Sequence, residues 1–200
     1  MLRRYEQYLE FLEKKLNKFF EAQKPYIFCK EGCSLCCQNA QFPYSLLEVK
    51  YLVQGMFELP VETRLKVEDK MIEIIEKRRN FKGERFLYDC PFLINGSCCV
   101  YKYRGIVCRA FGLLTKKEEG RTKTPFCCFK GLNYSNIYDE KEKKLSEAKM
   151  AELGITQEPL AYNVGYPFLT GESVQNAFKL NFGEKKPLID WFLSEKDKAN

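Results

Sequence analysis

The stretch FLYDCPFLINGSCCVY, Phe86–Tyr101, decides how the chain is read. Asn95-Gly96 stands between two apolar runs. Both residues accept the positive φ that a two-residue turn between paired strands requires, so the stretch predicts a β-hairpin. The same turn puts Cys90 and Cys98 on either side of it. Upstream the apolar residues recur at helical intervals, and here that periodicity stops. The expected fold is therefore α+β and rich in helix, with helices around a small, hairpin-built, cysteine-lined metal centre.

Working back from the hairpin, residues 2–24 carry Leu2, Tyr5, Leu9, Leu12, Leu16 and Phe19 at three- and four-residue steps, the pattern of an amphipathic helix. Its stripe suits either its own domain or a protein partner. Pro25 ends it. Ser45 and Glu48 form an S-x-x-E capping box ahead of a second helix, which Gly55 is expected to close. Pro60 opens a third helix to about Arg79, with Val61, Leu65, Met71, Ile72 and Ile75 inward. Working forward, residues 103–111 predict a short helix. A second hairpin is expected to turn near Glu119-Gly120, and a charged helix to cover about 136–153. A tail rich in Gly, Pro and aromatics ends in a helix opened by Pro187. Three segments result: an N-terminal helix over 1–24, a cysteine-cluster domain over 25–135, and a C-terminal extension over 136–200 that packs on the same domain.

The chain has 200 residues, 45% of them hydrophobic and 30% charged, which suits a sizeable soluble core. The net charge of +6 is spread among acids, so no nucleic-acid surface is signalled. The N-terminal segment has no uncharged apolar run and no small-residue cleavage site, and no run of 18 apolar residues occurs. A cytoplasmic protein without a membrane span is expected. In a reducing compartment, ten cysteines without a single histidine point to metal binding or thiol chemistry rather than to disulfides.

Four of those cysteines fall within nine residues, CKEGCSLCC, Cys29–Cys37. If the stretch is helical, they share a face. If it is a loop, as Gly32 permits, the thiolates can wrap a metal. Tetrathiolate sites suit Zn²⁺ or iron–sulfur clusters. The adjacent Cys36 and Cys37 suggest two centres, one multinuclear cluster, or one ligand with a spare thiol. Either kind of four-thiolate centre carries net negative charge and needs cations nearby. Arg104 and Arg109, flanking Cys108, are the candidates to supply them. C-x3-C-x2-C also occurs in radical S-adenosylmethionine enzymes, but no βα alternation follows Cys37.

Taken together, Cys29-x3-Cys33-x2-Cys36-Cys37, then Cys90-Pro91-Phe92-Leu93, then Cys98-x2-Tyr101-x2-Arg104-x3-Cys108-Arg109-x-Phe111, then a cysteine near 127, resemble the CxxCxxCC cysteine-cluster family, the YkgJ-like group of zinc- or iron-chelating domains. The resemblance spans roughly residues 29–130. It implies eight metal-binding thiols: Cys29, Cys33, Cys36, Cys37, Cys90, Cys98, Cys108 and Cys127 (or Cys128 in its place), leaving Cys99 outside. Two departures stand out. The first gap is three residues rather than two, and Gly105 replaces a proline, so a looser turn is expected after Arg104. The leading expectation is a cysteine-rich protein holding an iron–sulfur cluster, such as [4Fe–4S], in a redox or accessory role. The alternatives are a structural zinc module that presents a binding surface, and an enzyme related to protein lysine methylases, since some members of the family look related to flagellin lysine methylases.

Overall fold

The computed structural model describes residues 1–30, 32–39, 41–116 and 122–193. Among them the chain forms seven α-helices, five short 3-10 turns and eight short strands paired into four two-stranded antiparallel sheets. The fold is α+β and rich in helix. No helix among the described residues is long and apolar enough to cross a membrane.

The chain divides into two compact units that interleave in sequence. Unit 1 comprises residues 1–2, 32–108 and those from 180 onward. Unit 2 comprises residues 3–31 and 109–179.

In unit 2, helix α1 (Leu2–Ala22) buries Tyr5, Tyr8, Leu9, Leu12 and Leu16 along one stripe. Tyr8 donates its hydroxyl to the Leu169 carbonyl at 2.5 Å, and Phe19 stacks on Tyr162 with ring centroids 3.8 Å apart. The amphipathic stripe is thus used inside the chain. A second cluster joins Tyr26, Leu114, Cys128, Tyr134, Ile137 and Met150. The strands β4 (Thr115–Lys116) and β5 (Thr122–Lys123) pair antiparallel as expected, while the turn near Glu119-Gly120 lies outside the described residues. The charged helix expected over 136–153 is replaced by a hairpin, β6 (Tyr138–Asp139) with β7 (Lys144–Leu145), and by the short helix α5 (Glu147–Glu152). The reason is local. Asp139 Oδ1 accepts the backbone N–H groups of Lys141 and Glu142, and Lys143 takes φ 54°, so the turn closes before a helix can propagate. Helices α6 (Tyr166–Leu169) and α7 (Glu172–Phe178) complete this unit.

In unit 1, Ser45 ends strand β1 (Pro43–Ser45) and caps helix α2 (Leu46–Phe57) with the reciprocal bonds of a capping box. Helix α2 runs past Gly55 rather than ending there. Gly55 lies against the Tyr103 ring, which occupies the space a Cβ would need, so this glycine serves close approach and not termination. Helix α3 (Val61–Arg79) follows; of the residues expected inward, Met71 is buried and Ile75 is partly buried against the core, but the others are not. Val67, Met71 and Ile74 are buried, whereas Val61, Leu65 and Ile72 are more than half exposed. At about 100° per residue these two sets lie on opposite sides of the helix. The face chosen is the one whose Ile74 joins Phe86, Tyr88 and Ile189 in the core.

The hairpin forms as expected. β2 (Leu93–Ile94) pairs with β3 (Ser97–Cys98), with Asn95 at φ 50° and Gly96 at φ 77° in the turn. Helix α4 (Ile106–Ala110) begins in this unit. Strand β8 (Lys185–Pro187) returns to pair with β1 in the register Pro43↔Pro187, Tyr44↔Lys186. After Pro187 the chain makes a 3-10 turn, Leu188–Trp191, in place of the expected helix, and residues 194–200 lie outside the described set.

Candidate metal centre

Three segments of unit 1 deliver thiols to one place. The 3-10 turn Leu35–Cys37 presents Cys36 and Cys37, with their sulfurs 3.9 Å apart. The Cys90 N–H donates to the Cys37 carbonyl at 2.8 Å, which ties this turn to the start of the hairpin segment. Lys70 of α3 donates to the Leu93 carbonyl at 2.7 Å and the Cys90 carbonyl at 3.4 Å, which fixes the hairpin base. Cys98 sits directly across the hairpin from Leu93.

Cys108 arrives on the first turn of α4. The leading N–H groups of such a turn have no partners within the helix. Here the β1–α2 corner satisfies two of them. Ile106 N donates to Glu48 Oε1 at 2.9 Å, and Gly105 N to the Tyr44 hydroxyl at 3.4 Å. The same hydroxyl lies 3.4 Å from Cys108 Sγ. Gly105 is buried under the Tyr44 ring, so the turn after Arg104 is closed rather than loose.

Cys37, Cys90 and Cys108 line a pocket of about 20 Å³ walled by Phe42, Tyr44, Tyr88 and Leu188. A space of that size admits one water-sized particle. No carboxylate among the described residues lines it.

Electrostatics extends the group to Cys36 and Cys98. Cys37 is raised far above the ordinary thiol range, first by its hydrogen bond with Cys36, then by burial and by repulsion from Cys36, Cys90 and Cys108. Burial also pushes Cys90 up, and Cys108 and Cys98 add to it. Cys108 is pushed up to about 11, chiefly by burial, with repulsion from Cys36 and Cys98, while the Tyr44 hydroxyl opposes the rise. Cys98 is raised by burial and by Cys36, and Arg104 pulls it back. Each of these five thiolates would therefore sit in the field of others. As they stand, no group of three or more Cys, Asp or Glu side chains among the described residues is arranged to hold a metal ion.

The remaining expected ligands are placed as follows. Cys33 is exposed in unit 1. Cys29 is exposed in unit 2, where its N–H donates to Asn133 Oδ1 at 3.0 Å. Cys127 and Cys128 are buried in unit 2 on the 3-10 turn Phe126–Lys130. Cys99 is half-buried, and burial followed by Cys98 pushes its thiol up to about 11. Of the two arginines, Arg104 bonds the Tyr101 carbonyl at 2.8 Å, stacks 3.7 Å over the Tyr101 ring, and favours the Cys98 thiolate. Arg109 is buried in unit 2 and pairs with Glu13 of α1, so its charge already has a carboxylate beside it. Sequence reading missed Tyr44, Tyr88 and Leu188 as walls. None has a motif of its own, and only proximity to the capping box singles out Tyr44.

No protein-family model, curated protein or solved structure matches the chain, so its chemistry is argued from these side chains.

Proposed function

We propose that this is a metal-binding protein whose centre is held by thiolates of unit 1, drawn from Cys36, Cys37, Cys90, Cys98 and Cys108. The observation that supports it is that Cys37, Cys90 and Cys108, from three segments, line one pocket, with Cys36 and Cys98 close enough to act on them electrostatically. Thiols that only fill space have no reason to collect where each raises the others. Ionising them together without a cation is costly, and a bound cation reverses that cost. The donor set fits soft metals that take thiolate sulfur, namely zinc or iron–sulfur iron.

Five candidate sulfurs include the four that either an iron–sulfur cluster or a tetrahedral zinc ion takes, and the leading reading is a cluster with a redox or accessory role. Such a cluster would supply one-electron transfer. The protein's part is to hold the sulfurs, to keep water away with Phe42, Tyr44, Tyr88 and Leu188, and to offset charge at Cys98 with Arg104. A second reading, a single zinc ion that staples the three segments, is favoured by the 3.9 Å between the Cys36 and Cys37 sulfurs. Zinc–sulfur bonds of about 2.3 Å give a tetrahedral edge of about 3.8 Å.

The test is anaerobic purification and reconstitution, with elemental analysis and an absorbance spectrum on the same sample. Iron with acid-labile sulfide and a charge-transfer band supports the cluster. Stoichiometric zinc in a colourless sample supports the staple. Cys36→Ser and Cys108→Ser should each lower metal content, and Cys99→Ser should not. Failure to retain either metal after reconstitution overturns both readings.

A further inference from the structure

We infer that Tyr44 is a positioning residue for Cys108: its hydroxyl donates a hydrogen bond to the Cys108 sulfur, and Gly105 is the residue that makes this bond possible. The inference rests on the thiolate centre proposed above, since it assigns one of that centre's sulfurs a buried donor.

Tyr44 is 3% exposed, so its hydroxyl needs partners inside the protein. Two stand at 3.4 Å: Gly105 N and Cys108 Sγ. A backbone N–H can only donate, so the phenolic oxygen accepts from Gly105. That leaves the hydroxyl proton to be given, and the sulfur is placed to take it. Once Cys108 is a thiolate it can only accept, and the direction O–H···S is then the one available.

Gly105 contributes twice. A proline, the residue common at this point in the resembling pattern, would have no N–H to direct the hydroxyl. Any side chain at all would also collide with the phenol, because a Cβ at position 105 would stand 2.6 Å from Tyr44 Cε1 and 2.7 Å from Cζ. The ring is held from its backbone side as well. Trp191 Nε1 donates to the Tyr44 carbonyl at 3.0 Å, and Tyr44 pairs with Lys186 across the β1–β8 ladder. The next N–H along, that of Ile106, is held by Glu48. Tyr44 is therefore clamped, and its hydroxyl is aimed rather than free to rotate away. A donor so placed stabilises charge on the sulfur when metal is bound, and loss of such outer contacts typically weakens metal binding by 10- to 100-fold.

The test uses Tyr44→Phe, which keeps the ring and removes only the oxygen. Wild type and Y44F are reconstituted to the same metal content and challenged with a competing chelator. Metal loss about 10-fold faster in Y44F is expected, together with a shifted charge-transfer band, which a purely structural role would not move. In a Cys108→Ser background the Tyr44→Phe change should add nothing. The metal-free protein gives a second, independent readout. By NMR, the exchange-protected Tyr44 hydroxyl proton should shift on Cys108→Ala and stay unchanged on Cys99→Ala. If the protein takes up no metal, the proposed centre fails while this second readout still decides the O–H···S contact. A wild-type release rate in Y44F, or a hydroxyl proton indifferent to Cys108→Ala, overturns the inference.

Discussion

Glu48→Ala should be among the most damaging single changes in unit 1, although Glu48 is not one of the proposed metal ligands. The carboxylate is 1% exposed. Its Oε2 accepts from Ser45 N at 2.9 Å and from Ser45 Oγ at 2.7 Å, and its Oε1 accepts from Ile106 N at 2.9 Å. Alanine leaves the buried Ser45 and Ile106 N–H groups without that acceptor, at about 1–3 kcal/mol each. The expected destabilisation is about 4 kcal/mol. Glu48→Gln keeps one acceptor oxygen but turns an amide donor toward another donor, so about half that loss is expected. Urea unfolding followed by Trp191 fluorescence measures it well. Trp191 is the only tryptophan, and its indole N–H is bonded to the Tyr44 carbonyl beside the cap. Because Ser45 and Glu48 share their bonds, the Ser45→Ala and Glu48→Ala losses should sum to more than the double variant loses, by about 1 kcal/mol. A Glu48→Ala loss below about 1 kcal/mol, or strict additivity with Ser45→Ala, would refute the reasoning.

Three further outcomes are expected. Gly55→Ala gains about 1 kcal/mol of helix propensity but forces the Tyr103 ring aside at about 1–3 kcal/mol, so a net loss should appear in urea unfolding, and a net gain would show that the ring moves freely. Asn133→Ala in unit 2 removes the side-chain acceptor of the Phe28 and Cys29 N–H groups and the donor to the Gly112 carbonyl. A loss of about 2–4 kcal/mol should follow, and an unchanged thermal midpoint would contradict this account. Burial pushes the Cys128 thiol up from 9.0 to about 11, so the folded state holds this proton more tightly than the unfolded chain. Its contribution is full below pH 9 and disappears as pH rises toward 11. The metal-free protein should lose stability across that window, and Cys128→Ala should flatten the slope; an unaltered slope would count against it.

Features legible in the sequence are those whose causes lie within a few residues. The Ser45–Glu48 box, the Asn95-Gly96 turn and the α1 stripe each carry their own chemistry, and each forms as read. Features decided by distant partners were not legible. Helix α3 has apolar residues on two opposite faces, so periodicity reveals a helix but not which side is covered. Phe86, Tyr88 and Ile189 make that choice. The β1–β8 pair joins two three-residue strands, each containing a proline, and nothing local marks either of them. The 138–145 hairpin turns on Asp139 and a left-handed Lys143, a signal hidden in a run of charges that reads as helix. At the site, residue type drew attention to the thiols, but it could not say which of them would line one pocket, nor that the Tyr44 hydroxyl would stand 3.4 Å from Cys108 Sγ.

The pocket shows why that grouping depends on the whole of unit 1. Its thiols come from three places along residues 37–108, but one wall, Leu188, comes from 80 residues further on. That wall is held by bonds that all end on the pocket's own surroundings. Leu188 N donates to the Phe42 carbonyl, Ile189 N to the Tyr88 hydroxyl, and Trp191 Nε1 to the Tyr44 carbonyl. Residues that wall the thiols are thus also the residues that anchor the returning strand. A change that loosens β8 opens the pocket, and a change that displaces Tyr44 or Tyr88 releases β8. Short strands with few ladder bonds are weak by themselves, so the β1–β8 pair draws its stability from the walls it completes. Binding that draws the 36–37, 90–98 and 108 segments together would then be felt as stability at residues 185–191, where no ligand is proposed, because the same side chains serve both.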